Sequence, residues 1–180
     1  MTTTTRLTLK QFLEIPEQKP GLEFDADGSI HQKMSPNWDH GALQSHLAYL
    51  LWAWLYADAE RRRGYVQTEF RTNVAGASKL PDVAFYRRRP RQSKRKHALE
   101  IADVSIEILS PADDPDEQPA TCEWYIENGG EVAVLLDPEQ RTAMRFSGEG
   151  QVAELFEPDT LVLLPGLELP LREIFSVLDR

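Results

Sequence analysis

The sequence predicts a mixed α/β single domain, and three observations carry that reading. From about His40 to Arg63, apolar residues recur at helical spacing. After Gly64 the period drops to two, the repeat of strands. Further on, the helical stretch "TCEWYIENGG" separates two apolar strands, as a helix crossing to a further strand would.

The bulk numbers agree. At 180 residues the chain is long enough to bury one core without a second domain. A hydrophobic content of 41% and a charged content of 27% are those of a globular protein. No run of eighteen apolar residues is present, and "MTTTTRLTLKQF" lacks the apolar centre of a secretory signal. The single cysteine, Cys122, excludes an intramolecular disulfide and any multi-cysteine zinc site, so a cytoplasmic setting is expected.

Taken in order, Thr8 caps a short helix "LKQFLEIP" that Pro16 stops. "GLEFDADGSIHQKM" alternates around a turn at Asp27-Gly28, the signal of a hairpin. In the long helix Leu43, Leu47, Leu50, Leu51, Trp54 and Leu55 share one face, while Trp52 and Tyr56 fall elsewhere on the wheel. "ERRRG" closes it with cations and a glycine, which suits the helix dipole and a left-handed cap. "YVQTEFRTNV", "DVAFYR" and "DVSIEIL" read as three strands, the third apolar enough to be covered on both faces. "SPADDPDEQP" is a loop, "EVAVLLDP" a further strand, and "TAMRFSGEG" with "QVAELFEP" a hairpin. "LPGLELP" and a terminal helix "LREIFSVL" complete the chain.

Charge is unevenly placed. The net charge is −9, yet "RRRPRQSKRKH" (87–97) holds seven Lys or Arg and no acid, leaving −16 on the remainder. That block is either a solvated loop or a localised surface for anions.

Two carboxylates have unusual settings. Asp82 follows a proline at the mouth of a strand, as a turn residue or a ligand would. Glu107 lies inside an apolar strand and points away from Ile106 and Ile108, where its charge needs a partner. On spacing alone the plainer reading, a satisfied or partly solvated strand glutamate, comes first.

"PDV", an apolar strand, a loop and "EILSP" resemble the PD-(D/E)XK nuclease superfamily. More closely, the chain is similar over nearly its whole length to the branch called the Uma-two family, formerly a domain of unknown function. The resemblance runs through Glu23 and Gly28 in the early hairpin and through Met34, Ser35, Pro36 and His40 before the long helix. It continues through Asp82, Glu107, Tyr125, Gly129, Asp137 and Pro138. What it implies is a restriction-endonuclease-like mixed sheet flanked by helices. Asp82, Glu107 and the carbonyl of Ile108 are then expected to hold Mg2+ or Mn2+, hard cations that take oxygen ligands. The implied activity is hydrolysis of DNA phosphodiester bonds.

One departure stands against that activity. The superfamily's lysine sits two residues after the glutamate, here Leu109, or in this branch on the next helix, here Thr121. No lysine or arginine occurs between Lys96 and Arg141. A threonine hydroxyl donates a hydrogen bond but carries no charge, so loss of the lysine is the expectation. Migration of the role to Lys79 or Lys33 ranks behind it. The alternative function is therefore a degraded nuclease fold that binds nucleic acid or associates with itself.

Supporting residues follow. Glu23 is a candidate for the site's edge or a solvent-facing hairpin glutamate, and His40 for phosphate contact or for simple exposure at a helix start. His46 is expected to pack or hydrogen-bond, and Cys122 to fill the core. The acidic "DDPDE" (113–117) lacks the glycine and terminal glutamate of an EF-hand loop. Arg87, Arg88, Arg89, Lys94 and Lys96 form a candidate arm for phosphates. Aromatics off the apolar stripe of the long helix suggest a homodimer. P-loop, nucleophile-elbow and zinc signatures are absent from the sequence.

Overall fold

A computed structural model of the chain describes residues 6–58, 63–111, 113 and 118–179. Helix α1 (Leu9–Phe12) starts at Thr8, whose hydroxyl accepts the Gln11 N–H while the Gln11 side chain returns to the Thr8 N–H, a reciprocal capping box. Strands β1 (Leu22–Phe24) and β2 (Ile30–Gln32) form the expected hairpin. Helix α2 (Trp38–Ala57) begins earlier than its apolar repeat because Asn37 caps it, its side-chain oxygen accepting the His40 N–H at 2.8 Å. Of the cationic closure expected after α2, residues 59–62 lie outside the described residues.

The stretch read as one strand, "YVQTEFRTNV", divides. β3 (Tyr65–Thr68) ends before Glu69, whose φ of 48° breaks the extended run, and β4 (Thr72–Val74) joins a different sheet. A hairpin through Ala75-Gly76 then leads to β5 (Ala77–Lys79). Both turn residues have positive φ, 49° and 81°, which matches the twist of the paired strands.

The main sheet has six strands in the order β10-β9-β8-β7-β6-β3. β6 (Val83–Tyr86) and β7 (Val104–Ile108) are antiparallel, and β7 pairs in parallel with β8 (Val132–Asp137). The parallel pair is joined through α3 (Gln118–Glu127), as such a pair requires. β9 (Thr142–Ser147) and β10 (Gln151–Phe156) extend the sheet as a hairpin. A four-stranded sheet of order β2-β1-β5-β4 stands beside it. β11 (Thr160–Leu164) and β12 (Leu167–Pro170) pair separately and lead into α4 (Leu171–Phe175).

Every residue of β7 is buried, as its apolar run predicts for a central strand. One face carries Val104, Ile106 and Ile108 into a core shared with Leu43, Leu47, Leu51 and Phe175. The other turns toward α3 and its Cys122 and Tyr125. Trp54 packs edge-on against Phe85 and donates its indole N–H to the Gly166 carbonyl at 2.7 Å. Trp52 is half-buried against the core and stacks on Tyr56, which is exposed. Among the described residues no helix is long and apolar enough to cross a membrane.

Candidate active site

Register places the two carboxylates together. The β6–β7 ladder pairs Val83 with Ile106, and one step further Asp82 comes to lie beside Glu107. Asp82 Oδ2 accepts the Ile108 N–H at 2.8 Å, which ties the residue before β6 to the end of β7. Its backbone carbonyl accepts from the Gln44 side chain of α2 at 3.0 Å. Asp82 is 2% exposed and Glu107 4%, so neither is a solvated turn or strand residue.

A cation does stand between them, and it belongs to Lys33. The lysine follows β2, where its N–H donates to the Gly21 carbonyl, and its side chain crosses to the main sheet. Its Nζ lies 2.7 Å from Asp82 Oδ1, 3.1 Å from Glu107 Oε2 and 2.7 Å from the Leu80 carbonyl oxygen. Three N–H donors thus meet three acceptors. Of the two positions to which the role could have migrated, Lys33 is the one that stands beside both carboxylates, while Thr121 lines the same cleft from α3. Lys79, the other lysine considered, faces Glu23 and Asp25 instead, at 3.3 and 2.8 Å.

The remaining contacts fix this group. His40, brought in by the first turn of α2, sets Nε2 3.1 Å from Asp82 Oδ2 and is 6% exposed, not a surface histidine. Its Nδ1 is buried without a hydrogen-bond partner among the described residues. Tyr125 donates its hydroxyl to Glu107 Oε1 at 2.6 Å from α3. Glu23 is buried too; its Oε1 accepts the Leu80 N–H at 2.7 Å and so holds the strand leading into Asp82. Sequence reasoning named Tyr125 only as a landmark and missed Gln44.

Two acids around one ammonium cannot behave alike. Burial would raise the Asp82 carboxyl, but the Lys33 charge and the His40 hydrogen bond outweigh it and hold the group down at about 2. For Glu107 burial dominates; the Lys33 charge and the Tyr125 hydrogen bond pull against it, the charges of Asp82 and Glu23 add to it, and its carboxyl is pushed up to about 8. Burial opposes the charge of Lys33, yet Glu107 and Asp82 keep it more firmly protonated than an ordinary lysine. Cys122 is raised by burial and fills the core behind Tyr125.

Glu23, Lys33, His40, Asp82 and Glu107 line a cleft of about 600 Å3 that also touches Glu69, Ile108, Ser110, Asp113 and the Met34-Ser35-Pro36 segment. Among the described residues no three or more His, Cys, Asp or Glu converge as a metal cage. The donor set nonetheless fits a hard divalent cation, because two carboxylate oxygens already converge on one positive atom. Such an ion completes its coordination with waters and substrate oxygens. Of the acidic loop, residues 114–117 lie outside the described residues, and Asp113 accepts the Ser110 N–H at 2.7 Å. His46 Nε2 lies 3.0 Å from the Glu173 carbonyl oxygen, away from the cleft.

The basic block lies elsewhere. Asp82 precedes β6 and Arg87 follows it, so the two are roughly 16 Å apart at about 3.3 Å per residue. Arg87 pairs with Asp103 and Glu131, and Arg88 and Arg91 reach Glu100. Among the described residues Arg89, Lys94 and Lys96 have no ion-pair partner, and a turn from Ser93 to His97 folds the loop on itself.

Comparison with known proteins completes the picture. No functionally curated protein matches the chain. A crystal structure from Anabaena variabilis ATCC 29413, described as "a putative nuclease belonging to DUF820", superposes with a TM-score of 0.83 at 26% identity. The match covers 96% of this chain and 99% of that one. The family model Uma2, described as "Putative restriction endonuclease", matches residues 9–172, a span that holds both carboxylates, Lys33 and the strands and helices that position them. The chain belongs to the Uma2 family and has a restriction-endonuclease-like fold.

Proposed function

We propose that the protein is a divalent-metal-dependent endonuclease that hydrolyses phosphodiester bonds of DNA in the cytoplasm. The observation that carries this reading is the convergence of Asp82 and Glu107, both buried, from adjacent strands onto one cation position in an open cleft. Burying two acids side by side is costly, and a cation-binding function accounts for the arrangement. Asp82, Glu107 and the Ile108 carbonyl are the groups that would hold Mg2+ or Mn2+. When bound, the ion supplies a more acidic water and a positive charge for the phosphate oxygens.

The chain's own residues do the rest. His40 and the Ile108 N–H hold Asp82 in one orientation, and Tyr125 does the same for Glu107. Glu23 acts on the site through Leu80, as a positioning residue. Thr121 offers a hydroxyl at the rim. Hydrolysis forms a bond from a water oxygen to phosphorus and breaks one ester P–O bond, the water losing a proton and the leaving oxygen gaining one. Of the basic arm, Arg89, Lys94 and Lys96 serve a long substrate away from the reacting phosphate, while Arg87 and Arg88 are held by acids; such contacts add affinity without reading sequence.

Cleavage of plasmid DNA with Mn2+ tests the proposal. The wild type is expected to nick the plasmid, and Asp82→Ala and Glu107→Ala to lose at least about 10^3-fold of that activity, the scale on which phosphoryl-transfer sites depend on their charges. A wild type that binds DNA without cutting it, at any Mn2+ concentration, would replace this reading with that of a binding module.

A further inference from the structure

We infer that Lys33 is the lysine of this site. It is the resident counter-ion of Asp82 and Glu107 while no metal is bound, and the positive charge beside the scissile phosphate once a divalent cation takes the two carboxylates. The inference rests on the endonuclease reading and deepens it. Its basis is position: Nζ is within 3.1 Å of an oxygen of each carboxylate, on a residue of the N-terminal hairpin sheet and not of β7 or α3.

Three features separate this from a chance surface contact. All three donors of the ammonium are used, one of them on the Leu80 carbonyl, so the side chain is held even where the carboxylates are engaged otherwise. The residues that hold Leu80 are themselves buried: Glu23 binds its N–H, and Lys79 next to it is locked by Glu23 and Asp25. Finally, residues 97–140 hold no lysine or arginine, so the C-terminal half of β7 and the whole of α3 contribute no cation to the cleft.

Electrostatics gives the two roles one cause. An ammonium beside two carboxylates occupies the region a divalent ion needs, so it competes with that ion. Were Asp82 and Glu107 to hold a divalent ion, Lys33, still donating to the Leu80 carbonyl, would keep its positive charge at the cleft where the phosphate would lie. A fixed positive charge there stabilises the charge developing on the phosphate oxygens. Thr121 then marks a change in where the lysine comes from, and no decay of the site.

Lys33→Met, which keeps the length of the side chain and removes its charge, separates the roles. Calorimetry with Mn2+ alone is expected to show about tenfold or more tighter binding than the wild type, as removal of a competing unit charge at contact distance implies. At saturating Mn2+, plasmid cleavage is expected to fall about 10^2- to 10^3-fold, the loss typical of one stabilising group. Installing a lysine on α3 in that background, Lys33→Met with Thr121→Lys, is expected to restore part of the activity. Unchanged Mn2+ affinity overturns the counter-ion role, and undiminished cleavage at saturating Mn2+ overturns the catalytic one. Lys33→Gln, which still donates to the Leu80 carbonyl, answers the same questions if the methionine variant fails to fold. A wild type that never cuts defeats the endonuclease reading alone, because the Mn2+ affinity ratio still decides the counter-ion role.

Discussion

Glu107 depends on Tyr125 more than its place in the strand suggests. The phenol hydroxyl is 2.6 Å from Oε1, and both groups are almost fully buried, so no solvent replaces the bond. Tyr125→Phe leaves the carboxyl with Lys33 alone and removes a partner from a desolvated acid. We expect a loss of about 1–3 kcal/mol in urea denaturation, the range for a buried acceptor left without its donor. A variant as stable as the wild type would mean that the bond adds nothing net to folding. At this scale the sequence was informative where chemistry is written in residue type and order. Asp82 and Glu107 stand in motifs, and an acid in an apolar strand announces a partner. It did not say who the partner was. Lys33 sits in "IHQKM", an alternating polar stretch in which one lysine looks like any other. Only the absence of cations between Lys96 and Arg141 pointed upstream.

Among the elements, the β4–β5 hairpin matters because β5 runs directly through Lys79 and Leu80 into Asp82. Its turn places Ala75 at a φ of 49°, a conformation that L-residues with a Cβ avoid and that asparagine tolerates. Ala75→Asn, completing an Asn-Gly turn, is expected to stabilise the protein by about 0.5–1 kcal/mol, read as a raised Tm. An unchanged or lowered Tm would show that the hairpin contributes little to cooperative unfolding. The same turn explains why the element escaped the sequence. Its strands are three residues each, and Ala-Gly lacks the asparagine or aspartate that signals a hairpin. The break at Glu69 was hidden for a related reason: alternation continues across it while the chain changes sheets, and alternation carries no information about which strand lies next door. By contrast α2, β7 and the α3 crossover were legible, since long or fully apolar runs leave one arrangement that buries them.

Over the whole molecule, charge is segregated. An acidic protein at −9 repels polyanions in general, and its basic excursion lies at the far end of β6 from the cleft. Acids already engage Arg87, Arg88 and Arg91, and Arg95 donates to the Leu13 carbonyl, which leaves Arg89, Lys94 and Lys96 to meet phosphates. If these three carry the contact, log K for duplex DNA falls with log salt at a slope of roughly −2.7, at about −0.9 per phosphate. Replacing all three with alanine is expected to flatten that slope toward zero in fluorescence anisotropy titrations. A slope that survives the triple substitution locates the DNA contact elsewhere. The basic run was visible in composition, but its distance from the carboxylates was not. Sequence places Arg87 five residues from Asp82, and only an extended strand turns five residues into roughly 16 Å.

Because the ammonium of Lys33 enters from the end of the hairpin strand β2 while Asp82 and Glu107 stand at the mouth of β6 and within β7, the cleft is closed like a clasp with its pin on one half and its eye on the other. Neither half is complete alone. The N-terminal hairpin thereby carries part of the site itself, and a change in its seating is a change in where the lysine's charge sits.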